Sequence, residues 1–131
     1  MNLEELKAKV LDEYKKVKRE WEDGKYYFRA REYFKRFSMD SWIRMVKYER
    51  VCMVISLSRL GLPITSSILS WFFGLSHQVS TETLRSLSAL GVLEPMGLHS
   101  FKKVARRYKL NPRFIRAIYS HLEKGNKLSE T

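Results

Sequence analysis

Apolar residues at steps of three and four open the chain and predict a first helix of about twenty residues. Glu13 and Glu20 interrupt a strict heptad, so a coiled coil is not indicated, and Gly24 ends the pattern. The stripe needs a surface to cover, which is either the rest of this chain or the same helix of a second copy. It consists of Leu3, Leu6, Val10, Tyr14, Val17 and Trp21.

The next segment, KYYFRAREYFKRF, combines an aromatic face with a basic one. The apolar positions are Tyr27, Ala30, Phe34 and Phe37, and the basic ones are Lys25, Arg29 and Arg36. The ordinary interpretation is an aromatic core stripe beneath a solvated basic face. The alternatives are base stacking beside phosphate-binding cations, and a helix that lies on a membrane surface.

Two more helices follow before the middle of the chain. Asp40 or Ser41 is a good N-cap for one, which Gly61 and Pro63 end, and Thr65 is a good N-cap for the short segment SSILSWFF. The pattern predicts three regions, namely an N-terminal helical extension (residues 1–40), a main domain (residues 41–124) and a flexible tail (residues 125–131).

The segment from Gly74 to Leu93 has the pattern of a turn, a helix and a strand. Gly74 suits a tight turn that requires positive φ, and Ser76, or Ser80 one turn later, can cap the following helix. Core leucines follow at steps of three, a glycine stops the helix, and VLEP predicts a short strand. These last positions are Leu84, Leu87, Leu90, Gly91 and Val92-Leu93.

This combination resembles the winged helix-turn-helix of ArsR- and MarR-type transcriptional regulators, over about residues 42–124. The resemblance implies a mainly α-helical fold with a small β-hairpin wing, whose second strand spans Val104 to Leu110, and a last helix that starts at Pro112. Ser80 stands where the family usually has an apolar residue, with Val79 one position earlier. This departure leaves open a shift of the helix by one residue.

A second alignment is also possible. The segment FKKVARRYKLNPRFIRAIYSHL fits a helix-turn-helix with Ala105 in the tight packing position and Ile115 and Ile118 in the core. Its DNA-reading helix would then be residues 112–124. This alignment has Lys109 where the turn glycine is expected.

Charge favours an anionic partner. The chain has 131 residues, a formal net charge of +11 and a pI near 9.9. The net charge is −1 for residues 1–24, +6 for 25–60, −1 for 61–100 and +7 for 101–131. Two basic segments therefore flank a nearly neutral middle that contains the helix-turn-helix pattern.

In the winged-helix interpretation, residues from about His77 to Leu90 form the helix that enters the major groove. Gln78 can form two hydrogen bonds with adenine, and Arg85 can form two with guanine. Glu82 can accept a hydrogen bond from the amino group of cytosine. The candidates for base edges are His77, Gln78, Thr81, Glu82 and Arg85. The candidates for the backbone and wing are Lys102, Lys103, Arg106, Arg107 and Lys109.

The leading hypothesis is a sequence-specific double-stranded DNA-binding protein, a transcriptional regulator that forms a homodimer. The dimer follows from the family and from the first apolar stripe. A nonspecific architectural nucleic-acid-binding protein and a winged-helix protein-interaction module are the alternatives. No catalytic, cofactor or metal motif occurs, so we expect no enzyme, no cofactor and no metal.

The remaining composition points to an intracellular protein. The only cysteine, Cys52, lies in an apolar run and is expected in the core, and no disulfide is possible. No signal peptide or membrane-spanning run is evident, so we expect a cytoplasmic location and no membrane partner. One glutamine and three asparagines match proteins of organisms that grow at high temperature.

Overall fold

The protein is mainly helical with one small antiparallel sheet, as the sequence predicts. The computed structural model describes residues 2–35, 48–96 and 106–125. In these residues the helices are α1 (Leu3–Glu22), α2 (Lys25–Phe34), α3 (Tyr48–Arg59), α4 (Ser66–Phe73), α5 (His77–Ala89) and α6 (Pro112–Gly125), and the strands are β1 (Leu93–Pro95) and β2 (Tyr108–Leu110).

Helix α1 begins with a capping box and ends beside a glycine. The Asn2 side chain accepts the Glu5 N–H at 2.8 Å, and the Glu5 carboxylate accepts the Asn2 N–H at 2.9 Å. Val10, Val17 and Trp21 from its apolar stripe are fully buried. The helix packs against α3, α2 and α4, so the surface that covers the stripe is the rest of this chain.

Contacts of α3 join it to α1. Arg59 lies 3.0 Å from a carboxylate oxygen of Glu20 and 3.4 Å from one of Glu13. On the buried side of α3, Cys52 is inaccessible to solvent, and this burial raises the pKa of its thiol to about 12. The prediction that Cys52 belongs to the core is confirmed.

Helix α2 contributes aromatic side chains to the core, as the core-stripe interpretation predicts. Ala30, Tyr33 and Phe34 are buried, and the ring of Phe34 stacks on that of Phe114 with centroids 6.4 Å apart. The Tyr33 hydroxyl donates to the carbonyl of Gly91 at 3.0 Å. These buried rings are not available to stack on bases, while Arg36 and Phe37 lie outside the described residues.

A tight turn connects α4 and α5. The Thr65 hydroxyl accepts the Ile68 N–H at 3.2 Å to start α4, and the Ser76 hydroxyl accepts the Val79 N–H at 3.1 Å to start α5. Gly74, between them, has φ of +69°, a conformation that favours glycine. The N-cap of α5 is thus Ser76 and not Ser80.

The sheet pairs β1 with β2 in the register Leu93↔Leu110, Glu94↔Lys109 and Pro95↔Tyr108. On the other side of β2, Ile64 forms an antiparallel bridge with Tyr108, whose N–H donates to the Ile64 carbonyl at 3.0 Å. In the second helix-turn-helix alignment Lys109 would lie in the turn, whereas it lies in the paired strand β2. The described residues 106–110 therefore do not support that alignment, and residues 101–105 of its first helix lie outside the described residues.

The described part of the chain also bears on membrane insertion. None of its helices combines the length and the apolar character that crossing a bilayer requires.

Candidate nucleic-acid interface

Helix α5 has one buried face that holds it in place. Ser80, Thr83, Leu84 and Leu87 are buried there, and α5 packs against α4 and β1. The Ser80 hydroxyl lies 2.7 Å from that of Ser70 in α4. Since Ser80 occupies the inward position and Val79 is exposed, the helix is not shifted by one residue.

Polar contacts also anchor this face to α3. The Arg50 guanidinium donates to the Thr83 hydroxyl at 3.1 Å. A hydrogen bond from a charged donor is stronger than one between neutral groups. The orientation of α5 is therefore set by leucine packing together with two specific polar contacts.

The opposite face of α5 is polar and accessible. His77, Gln78, Glu82 and Arg85 are exposed, and Thr81 is half-buried beside them. Positions 78, 82 and 85 share one face because they are three or four residues apart. Gln78 donates to Glu82 over a long distance of 3.5 Å. The structure thus brings all the candidate base-edge residues onto one side of α5.

The candidate backbone residues are only partly described. Arg106 and Arg107 are exposed immediately before β2. Lys109 is exposed too, but its ammonium lies 3.3 Å from the carboxylate of Glu94 on the paired strand. The positive charge of Lys109 is therefore partly balanced within the chain. Lys102 and Lys103 lie outside the described residues.

An open cleft of about 270 Å³ separates α4, α5 and β2. Its arginines are Arg85, from α5, and Arg106, from the residues that lead into β2. No carboxylate occurs among the described residues that line it. The lining residues are Ser66, Thr81, Leu84, Arg85, Arg106 and Tyr108. The cleft therefore combines two positive charges with hydroxyl groups.

Two residues of this surface were not among the sequence candidates. Ser66 is the first residue of α4, where backbone N–H groups lack partners within the helix. Val79, in the first turn of α5, leaves 36% of its surface exposed. The cap at Thr65 is a sequence signal for Ser66, whereas the exposure of Val79 follows only from the inward position of Ser80.

The described residues contain no group of three or more His, Cys, Asp or Glu side chains that could hold a metal ion.

Comparisons of the chain with protein-family models, with curated protein sequences and with solved structures find no match. The residues and geometry of this chain are therefore the basis for inferring its function.

Proposed function

We propose that this protein binds double-stranded DNA sequence-specifically through a winged helix, and that α5 enters the major groove. The order of α3, α4, tight turn, α5, β1, β2 and α6 supports the proposal. An isolated antiparallel bridge between Ile64 and Tyr108 joins the residues before α4 to the two-stranded sheet, on the far side of β2 from β1. The residues between β1 and β2 would form the wing.

One observation carries the proposal, namely that α5 has a buried face and an exposed polar face that begins at its N-terminus. The major groove of B-DNA accommodates an α-helix, and the N-terminal residues of such a helix contact base edges. His77, Gln78 and Glu82 are exposed in the first two turns.

Each exposed residue has a chemical partner in the groove. The Gln78 amide can donate to and accept from adenine, and the Glu82 carboxylate can accept from the amino group of cytosine. Thr81 and His77 can donate to base acceptors, and the Val79 methyl groups can contact the methyl group of thymine. The site would then include an A·T pair opposite Gln78.

Most of the affinity would come from residues outside α5, because Arg85 is its only lysine or arginine. Arg106 and Arg107 are exposed in the proposed wing, to which Lys102 and Lys103 would also belong, and Lys109 follows in β2. Lysine and arginine contacts with phosphates release counterions, so affinity should fall steeply as salt is raised.

The biological role that fits this activity is transcriptional regulation by a homodimer. A two-fold protein would bind an inverted repeat whose half-sites lie about one helical turn apart. The apolar stripe of α1 packs within its own chain from Leu6 to Trp21, while Leu3 is exposed, so another surface would form the dimer contact.

The test is selection of duplexes from a random library by the purified protein and by Gln78→Ala. Lys15→Ala, at an exposed position of α1, is the control. We expect the wild-type protein to enrich one motif. Gln78→Ala should relax the preference at one base pair, at a cost of about 1–3 kcal/mol in discrimination. Lys15→Ala should select the unchanged motif.

Nonspecific architectural binding is the second candidate function. Exposed cations away from the polar face of α5 favour it, among them Arg107, Arg113 and Arg116. Equal affinity for unrelated duplexes, without an enriched motif, would support this candidate against the first. An absence of duplex binding at low salt would contradict both and leave protein interaction as the function.

A further inference from the structure

We infer that Arg85 and Arg106 bind one phosphate group of the DNA backbone in the cleft between α4, α5 and β2. Arg85 would then position the duplex and would not read guanine, the role that the sequence pattern predicts for it. The inference rests on the proposed DNA-binding function. It assigns a ligand group to a cleft that the sequence did not reveal.

Arg85 and Arg106 line the same cleft although they are far apart in the sequence. Both line the same open cleft of about 270 Å³, one from α5 and one from the residue pair before β2. The guanidinium group presents several N–H donors in a plane and matches the oxygens of a phosphate group in pairs. Two such groups from different elements can hold a phosphate group from two sides.

The charge of the cleft favours an anion. Among the described residues that line the cleft there is no carboxylate. The acidic side chains of the same region make other contacts, since Glu94 lies 3.3 Å from Lys109 and Glu82 accepts a hydrogen bond from Gln78. The charge of the cleft is therefore not neutralised by its own lining, and an anion is the ligand that it favours.

Hydroxyl groups lie beside the arginines in the lining of the cleft. Thr81 and Ser66 each contribute a hydroxyl group, which can donate to a phosphate oxygen. Ser66 also begins α4, and the positive end of that helix favours an anion at this end of the cleft. Donors from α4, from α5 and from the residues before β2 therefore line this open cleft.

Arg85 lies well beyond the N-terminal turns of α5. It follows His77 by eight residues, which corresponds to about 12 Å along the helix axis at 1.5 Å per residue. Residues at the N-terminus of a recognition helix lie closest to the bases. Arg85 lies toward the cleft and the proposed wing, where the DNA backbone is expected.

The experiment measures the affinity for the selected duplex while single phosphates are replaced by neutral methylphosphonates. It compares the wild-type protein with Arg85→Gln, with Arg106→Gln and with the matched control Arg31→Gln, an exposed arginine of α2 outside the cleft. Each cleft variant should weaken binding about tenfold or more, at every base sequence tested, and should reduce the salt slope by about one.

At one backbone position the methylphosphonate should weaken wild-type binding about tenfold and should weaken binding by either cleft variant less, because one of the two arginine contacts is already lost. The double variant should lose less affinity than the sum of the two single losses, because both arginines act on the same phosphate group. Arg31→Gln should keep the wild-type response. If Arg85→Gln instead loses discrimination at one guanine, or no methylphosphonate position is coupled to both arginines, the inference is wrong.

A titration with inorganic phosphate at low salt separates this inference from the proposed function. If no duplex binds, the proposed function fails, and the titration alone decides about the cleft. In that case, NMR shifts at Thr81 and Arg85 that saturate with phosphate, and that are absent from both cleft variants, would show a phosphate site. The ligand of that site would then be a free phosphate compound. No such shifts would overturn the phosphate site as well.

Discussion

At the scale of single residues, a pair of serine hydroxyls forms a polar contact between α4 and α5. Ser80 is fully buried, and its oxygen lies 2.7 Å from that of Ser70. A buried hydroxyl costs free energy unless it finds a partner. Because each hydroxyl supplies that partner to the other, a serine is tolerated at a position where an apolar residue would be expected.

The Ser80→Ala variant tests this pair. The change should lower the free energy of unfolding by about 1 kcal/mol, because it leaves the Ser70 hydroxyl without its partner in a partly buried place. The double variant Ser70→Ala/Ser80→Ala should recover part of the loss. Urea denaturation of the wild-type protein, Ser80→Ala, Ser70→Ala and the double variant measures the coupling, and strictly additive losses would show that the two hydroxyls do not interact.

At the scale of elements, the turn between α4 and α5 fixes the relative direction of the two helices. Gly74 has φ of +69°, and a Cβ built on it meets nothing within 4 Å. Backbone conformation, and not lack of space, is therefore the reason for glycine here. Thr65 and Ser76 cap the two helices, so local interactions define most of this unit.

Gly74→Ala should lower the free energy of unfolding by about 1 kcal/mol, because alanine avoids the left-handed conformation. Gly74→Asn should be milder, since asparagine visits this region more readily. Thermal or urea denaturation of the two variants gives the comparison. Equal stabilities of Gly74→Ala and the wild-type protein would mean that the turn relaxes to another conformation.

At the scale of the whole molecule, the N-terminal helix is part of the core and not a free arm. Val10, Val17 and Trp21 are buried together with α3 residues such as Cys52. The ion pairs of Arg59 with Glu13 and Glu20 lie at the rim of this contact. Exposed pairs of this kind stabilise little, so apolar burial is the main contribution.

Trp21→Ala should lower the free energy of unfolding by about 3–5 kcal/mol, because it removes a large, fully buried ring. Leu3→Ala, at a side chain that is 65% exposed on the same helix, is the control and should change stability by less than about 0.5 kcal/mol. Chemical denaturation checks both changes.

Light scattering on the same variants tests the alternative role of α1. If the stripe formed a dimer contact, Trp21→Ala would halve the mass of the particle and leave the stability of each chain unchanged. That result would contradict the packing of α1 described above. The homodimer itself stays a prediction.

The sequence by itself determined the elements that depend on neighbouring residues. The helical stripe up to Trp21, the cap at Thr65 and the glycine turn at Gly74 were all predictable, because a helix period, a cap and a positive φ are local properties. The candidate face of α5 follows from the same period, which places Gln78 and Glu82 on one side of the helix.

Only the tertiary structure decided which surfaces these elements use. It placed the stripe of α1 on its own chain, turned Ser80 inward against Ser70, and brought Arg85 and Arg106 to one cleft. The period of a helix shows which residues share a face, but not what that face contacts. Contacts between residues far apart in the chain depend on how all the helices pack, and packing is a property of the whole fold.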